Sequence, residues 1–279
     1  MGDRQEPDNM IDSIIDGRIP PWCKRIVKQA GRGVNRFSMI RGGEKILIAV
    51  SGGKDSLALS FILSIRRRWL PVHYDLHAAV INWREYPIPN ERLDDMRRFF
   101  DNLSISHEII PAHMFAKSFK GKFDCYLCAR NRKRILFERA EVLGIRKIAV
   151  GHHLDDIVET TLINLCLRGD FSTMMPVQDF FGGKVQIIRP MCEVREKDVD
   201  KLVTRLDLPA YTPPCPYKDS NIRVKMKPII RELSHIDRQA REHIYAAHFN
   251  LRKEYTDFQR IVSERSSEKE TLDCYKNLE

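Results

Sequence analysis

The 279-residue chain contains no run of about 18 consecutive apolar residues, the length a membrane-spanning helix needs. Its opening residues, Met1-Gly-Asp-Arg-Gln-Glu-Pro-Asp8, lack the apolar stretch of a secretory leader, so a cytoplasmic location is expected. Internal repeats and low-complexity linkers are missing too, which argues against an array of repeats. Only 38 acidic residues face 47 lysines and arginines, leaving a net charge of +9. A second C-x2-C pair, which a zinc ribbon would require, is also lacking.

With 43% apolar residues the chain can bury one good core, with small appendages rather than a second large domain. The excess positive charge is clustered at Arg66-Arg-Arg68, at Arg130 with Arg132-Lys133-Arg134, and at Arg223 with Lys225 and Lys227. Clustered cations release counterions from a phosphate backbone, so the latter two groups are candidate RNA contacts. Seven cysteines, an odd number, argue against a disulfide framework and for metal or catalytic use of some of them. Cys23, Cys166, Cys192 and Cys274 are isolated, whereas Cys125 and Cys128 form a pair.

Strands are expected at Lys45–Val50, Asp75–Asn82, Ile105–Ile110, Lys147–Val150 and Val185–Arg189. Helices are expected between them at Ser56–Ile65, Asn90–Leu103, Arg130–Leu143 and from the 151–156 loop to about Leu167, then at Lys197–Leu206. This alternation makes an α/β fold with a parallel sheet and helices on both faces. The expected organisation is a helical N-terminal extension over 1–40, a core over 41–210, and a cysteine loop with a basic helical region over 211–262. The polar segment 263–279 is expected to be a flexible tail. In such a sheet, ligands sit beyond the carboxyl ends of the strands, where Ser51–Asp55, Asn82, the Cys125 loop, His152–Asp156 and Arg189 all fall.

The segment Val50-Ser-Gly-Gly-Lys-Asp-Ser56 stands at the first strand–helix junction. A Walker A loop would need glycine at position 48, which is Ile, and a hydroxyl residue at 55, which is Asp. A glycine turn into a helix still points free N–H groups at an anion, and Lys54 adds charge. Ser51-Gly-Gly-Lys-Asp-Ser56 resembles the PP-loop of ATP-pyrophosphatases, which implies a HUP/Rossmann-like fold and adenylation of a carbonyl or carboxyl oxygen with release of pyrophosphate. The resemblance assigns Ser51, Gly52, Gly53, Lys54, Asp55 and Ser56 to ATP.

Gly151-His-His-Leu-Asp-Asp156 reads as a loop opening a helix, where Asp155 or Asp156 could cap the helix or hold Mg²⁺. It resembles the GHHxDD motif of PP-loop RNA-modifying enzymes, so Gly151 and His152, with Asn82, join the expected ATP contacts, and Asp55 with Asp156 the Mg²⁺ site. Cys125-Tyr-Leu-Cys128 suits a metal or a redox pair, and Cys215 offers a third thiolate. Three thiolates suit a [4Fe-4S] cluster with one iron left open; the rival use is a persulfide resolved as a disulfide.

Taken in order, the PP-loop, the cysteine pair, Arg130-Asn-Arg-Lys-Arg134, GHHxDD and the later cysteine resemble the tRNA 2-thiocytidine synthetase (TtcA) family over about residues 24 to 235. That resemblance implies ATP- and Mg²⁺-dependent replacement of the C2 oxygen of cytidine 32 in the tRNA anticodon loop by sulfur, with Lys54, Asp55 and Asp156 catalytic. It further implies a [4Fe-4S] cluster on Cys125, Cys128 and Cys215, and a cysteine desulfurase or other sulfur donor as partner. Some members carry C-x2-C around the downstream cysteine, where Cys215 here stands alone. Arg189 is a candidate phosphate contact or a surface residue, and Trp83 and Tyr126 are candidate stacking partners. A 2-thiouridine synthetase, a lysidine-synthetase-like ligase and a non-catalytic nucleotide or iron–sulfur sensor are the alternatives. The partly apolar segment Ile11–Phe37 makes a homodimer plausible.

Overall fold

A computed structural model describes residues 7–115, 125–212, 214 and 222–252. Two helices, α1 (Pro7–Ile15) and α2 (Pro21–Arg36), lead into strand β1 (Lys45–Val50) and helix α3 (Lys54–Trp69). Then follow β2 (Asp75–Trp83), α4 (Asn90–Asn102), β3 (Ser106–Ala112), α5 (Cys125–Val142), β4 (Lys147–Ala149) and α6 (Leu154–Arg168). A short hairpin of β5 (Val177–Phe180) and β6 (Val185–Ile188) precedes α7 (Glu196–Arg205), α8 (Ile222–Ile236) and α9 (Ala240–Ala247).

The six strands form one sheet in the order β3-β2-β1-β4-β6-β5. Five run parallel, and β5 alone is antiparallel, pairing Val177 with Ile188 and Phe180 with Val185. The sheet is thus mostly parallel, as expected, with one antiparallel edge strand that the sequence reading did not include. Along β1 the pleat divides the core: Ile46, Ile48 and Val50 pack with α2, α3, α6 and α7, and Leu47 packs on the other face with α5. A strand buried on both faces reads as a continuous apolar run, as Ile-Leu-Ile-Ala-Val does.

Neither N-terminal helix is a loose appendage. Ile11, Ile14, Cys23, Ile26, Val27, Ala30 and Val34 lie in the same apolar cluster as β1 and α3. The basic helical region expected over 211–262 contains, among the described residues, α8 from Ile222 and, after a break past Ile236, α9. The break is an Asx turn, in which Asp237 Oδ1 accepts from Gln239 N at 2.8 Å. The expected tail over 263–279 lies outside the described residues.

The sheet order reverses direction between β1 and β4, the place where open α/β sheets bind ligands. Beyond the carboxyl ends of those two strands lie the 51–53 turn and the 151–153 turn. No described helix is long and apolar enough to cross a membrane.

Candidate nucleotide and thiolate site

The turn after β1 is built to expose backbone N–H groups. Gly52 has φ +82°, a left-handed conformation, and a Cβ there would meet Tyr211 O at 3.0 Å. Tyr211 N in turn donates to Gly52 O at 2.8 Å, tying the turn to the segment after α7. Gly53 caps α3 with no side-chain acceptor, so the first N–H groups of the helix face the turn without an internal partner. Ser56, expected to contact phosphate, braces the turn: its buried hydroxyl donates to Gly53 O at 2.8 Å. Ser51 Oγ accepts weakly from Gly53 N at 3.4 Å.

Lys54 Nζ pairs with Glu196 Oε1 at 3.2 Å and with Asp200. Burial pulls its pKa down, but Asp200, Asp55 and Glu196 outweigh burial, and the net shift is upward. Asp55 sits at the opposite extreme. Burial raises its pKa against the pull of His153 and Lys54, and its Oδ1 is a buried oxygen with no hydrogen bond. A carboxylate oxygen with no hydrogen bond, approached only to 3.9 Å by Lys54 Nζ and His153 Nε2 beside a glycine turn, fits a divalent cation, because a buried acceptor without a donor is costly unless something positive completes it.

Gly151 follows β4, and a Cβ there would come within 2.9 Å of the Asp55 backbone carbonyl. The glycine is required so that the two turns can touch. His153 then caps α6 in a reciprocal box: its Nδ1 accepts from Asp156 N at 3.3 Å, and Asp156 Oδ2 accepts from His153 N at 3.0 Å. Asp155 is committed elsewhere, accepting from Glu196 N and from Arg241 Nε, both at 2.7 Å. Asp156 keeps Oδ1 toward the site, where Arg223 Nη1 donates to it at 3.0 Å. His153 Nε2 lies 3.9 Å from Asp55 Oδ1, so one imidazole separates the two carboxylates expected to hold Mg²⁺.

His152 is half-buried, and desolvation lowers its pKa to about 4, so it is neutral near pH 7. Its Nδ1 accepts from Arg189 Nε at 3.3 Å. Arg189 is buried, not a surface arginine; burial lowers its pKa to about 10, and it also donates to Met175 O. Asn82 turns its Oδ1 to Ile88 N at 2.8 Å, closing the loop after β2.

Helix α5 begins at Cys125, five residues before its expected start, which sets Cys125 and Cys128 one turn apart at a helix N-terminus. The side chain of Cys125 and the whole of Cys215 lie outside the described residues. The first half of α5 stands at the same sheet edge as the PP-loop: Asn131 Nδ2 donates to His113 O and Met114 O beyond β3, and Arg132 lies over Trp83, the last residue of β2. Cys23 and Cys192 are buried thiols whose pKa burial pushes up to about 12, which suits packing rather than chemistry.

The candidate RNA contacts divide. Arg130, Lys133 and Arg134 are exposed on α5, with Lys133 Nζ 5.0 Å from the Phe180 ring centre and Arg134 paired with Glu138. Arg132 is half-buried, and Lys225 is exposed. Arg223 and Lys227, however, turn into the nucleotide site: Lys227 Nζ is 3.0 Å from Glu196 Oε1 and 4.0 Å from Glu159 Oε1. Glu159, two turns into α6, is buried, and burial raises its pKa to about 7. Glu196, Asp200 and Glu159 carry no signal in the sequence, because each is an ordinary acidic residue in a helix with no local spacing to distinguish it.

A family model described as PP-loop domain matches residues 25–213. A tRNA-cytidine(32) 2-sulfurtransferase of Paraburkholderia phymatum is 35% identical over 221 residues, covering 75% of this chain and 63% of the relative. The enzyme of that name from Marinobacter nauticus is 34% identical, covering 69% and 63%, and that from Histophilus somni is 32% identical, covering 77% and 68%. The chain therefore spans somewhat under two thirds of the length of the first two relatives. Among solved structures, the U34-tRNA thiolase NcsA of Methanococcus maripaludis, with its [4Fe-4S] cluster, shares the fold at a TM-score of 0.66 and 22% identity, over 80% of this chain and 76% of that one.

Proposed function

The chain belongs to the PP-loop domain family and is a relative of the tRNA-cytidine(32) 2-sulfurtransferases, and from that premise we propose that it thiolates tRNA at the expense of ATP. The target is the C2 position of cytidine 32. The observation that carries this reading is the meeting, at one sheet edge, of the PP-loop, the carboxylates Asp55 and Asp156, and the helix that begins with Cys125 and Cys128. An adenylating site and a sulfur-handling site side by side support a single reaction in which oxygen leaves as AMP and sulfur enters.

In this reaction the N–H groups of the 52–54 turn and Lys54 hold the β- and γ-phosphates, and Lys54 exchanges Glu196 and Asp200 for phosphate oxygens. Asp55 and Asp156 would hold Mg²⁺, which would supply positive charge to the phosphates, with Arg223 withdrawing from Asp156 onto the phosphates. The C2 carbonyl oxygen attacks the α-phosphorus, the bond to the bridging oxygen breaks, and pyrophosphate leaves. Adenylation turns oxide, a poor leaving group, into AMP. Neutral His152, held by Arg189, flanks this site as a hydrogen-bonding group rather than as a charge. Cys125, Cys128 and Cys215 would hold a [4Fe-4S] cluster, which supplies an iron free of protein ligands for the incoming sulfur; the sulfur itself comes from a cysteine desulfurase or an equivalent donor.

The test is to express the chain, Asp156→Asn and Cys128→Ser in a strain whose tRNA lacks 2-thiocytidine, and to digest the tRNA to nucleosides. Restoration of 2-thiocytidine by the wild type alone, with about four irons per chain after anaerobic purification, is the expected result. Appearance of 2-thiouridine or lysidine would overturn the assignment of the base or of the reaction. An iron-free protein that still thiolates would overturn the cluster.

A further inference from the structure

On the face of the sheet opposite α5, α2, the end of α3 and the start of α7 enclose a groove of about 960 Å³. Helix α2 is two-sided there: Cys23, Ile26, Val27, Ala30 and Val34 enter the core, while Lys24, Lys28 and Arg32, four residues apart, form an exposed stripe along the groove. Lys197 of α7 faces it from the opposite wall. These four cations have no side-chain ion pair or hydrogen bond among the described residues. Of the acids that line the groove, Asp198 is paired with Arg25 at 3.2 Å, and Glu242 is paired with Arg195.

A stripe of exposed lysines alone would be a solvated helix face. What sets this groove apart is Arg66. Its residue is only 8% exposed, yet it lines the groove, and its guanidinium donates to a neutral acceptor, Asn35 Oδ1, at 2.7 Å. It meets no carboxylate among the described residues, and burial accordingly lowers its pKa. A buried guanidinium without an anion is costly to maintain, and an external anion completes it. Gly31 makes its position available: a Cβ there would collide with Arg66 Nη1. The groove adjoins the nucleotide site, because consecutive residues at the start of α7 divide between them, Glu196 pairing with Lys54 and Lys197 lining the groove.

We infer that this groove is a phosphate-binding track for the RNA backbone, with Arg66 as its fixed anchor and Lys24, Lys28, Arg32 and Lys197 as its exposed contacts. The inference rests on the tRNA reading above and extends it to a surface on the far side of α7 from the PP-loop. RNA is favoured over a small anion because the cations are strung along an open helix face rather than gathered around one point. Phosphates held there would enter the reaction only through position, by fixing the stem while a loop base reaches the PP-loop.

The experiment uses the full chain, Lys28→Ala/Arg32→Ala, and Gly31→Ala, which displaces the Arg66 guanidinium while favouring helix. Binding of unmodified tRNA is measured across a salt series, and ATP binding serves as the control. Loss of two phosphate contacts should flatten the plot of log affinity against log salt by about 1.4 to 1.8 and weaken binding at least about tenfold at low salt. Gly31→Ala should weaken tRNA binding several-fold, and ATP affinity should be unchanged in both variants. Equal affinity and slope in wild type and variants overturns the groove while leaving tRNA as substrate. Failure of the wild type to bind tRNA overturns both readings. Inorganic phosphate that binds the wild type and not the double variant, with tRNA affinity unaffected, would assign the groove to a small anion and overturn the RNA track.

Discussion

Glu159 offers a quantitative check on the electrostatics of the site. It is 3% exposed on α6, and burial raises its pKa from 4.5 to about 7 although Lys227 opposes the shift. A carboxyl whose folded pKa lies above its unfolded value favours the folded state while protonated. Its contribution is intact below about pH 4.5 and declines as the pH rises through about 7, above which the whole cost of burying the charge is present. The shift corresponds to about 3 kcal/mol, at about 1.4 kcal/mol per pKa unit. Between about pH 5 and about pH 8.5 the linkage integral changes by roughly 2.5 kcal/mol.

Glu159→Gln keeps the shape and removes the titration. Urea unfolding of wild type and variant across that range should show the stability difference shifting by about 2 kcal/mol in favour of the variant as the pH rises. A constant difference across the range would refute the reasoning, because it would mean that Glu159 titrates alike in the folded and unfolded chains. The same titration has a functional corollary. When Glu159 is protonated, Lys227 retains Glu196 as its ionised partner, and Lys227 and Lys54 then share that one carboxylate.

Three other perturbations probe the site. Gly151→Ala forces a Cβ within 2.9 Å of the Asp55 carbonyl, so the two turns must separate; a loss of roughly 2 kcal/mol in stability and of detectable ATP binding is expected by urea unfolding and calorimetry. His152 is depressed from 6.5 to about 4, so its stabilising contribution is complete above about pH 6.5 and lost as the pH falls through about 4; His152→Asn should remove roughly 2 to 3 kcal/mol of acid sensitivity by about pH 4.5. Asp200→Asn releases Lys54 from a half-exposed pair of about 1 kcal/mol at most, so ATP should bind up to about fivefold tighter, whereas Lys54→Ala should weaken it at least about tenfold. An unchanged affinity in Lys54→Ala would remove this lysine from the phosphate site.

The parallel strands were legible because each is a short apolar run between turn residues, and the structure sets β1, β2 and β4 within a residue or so of their expected bounds. Strand β5 was not, since Val177-Gln-Asp-Phe180 carries no apolar face of its own and is held by β6 across the hairpin. One signal for it did exist: Phe181-Gly-Gly183 has three consecutive positive φ values, and a glycine pair between short segments marks a hairpin. The early start of α5 at Cys125 was hidden for a different reason, because cysteine and tyrosine are indifferent helix formers and the motif drew attention to thiol chemistry instead.

Within the site, motif residues were found and their partners were not. Asp155 and Asp156 show why adjacency in sequence is a poor guide: consecutive helical residues point about 100° apart, so one carboxylate ties α6 to α7 and α9 while its neighbour faces Asp55 and Arg223. The partners come from helices 40 or more residues downstream, which no local spacing could specify; Glu196 lies 142 residues from Lys54. Those downstream groups anticipate the substrate's charges. Carboxylates of Glu196 and Asp200 occupy Lys54, as phosphate oxygens would, and the Arg223 cation occupies Asp156, as Mg²⁺ would. On the proposed reading, nucleotide binding would be an exchange of partners between partly exposed ions, each worth about 1 kcal/mol or less, rather than the exposure of bare charge. The oxygen outside this exchange is Asp55 Oδ1, which has no hydrogen bond and is approached only to 3.9 Å by Lys54 Nζ and His153 Nε2, and that makes Asp55 the residue at which a cation would gain most.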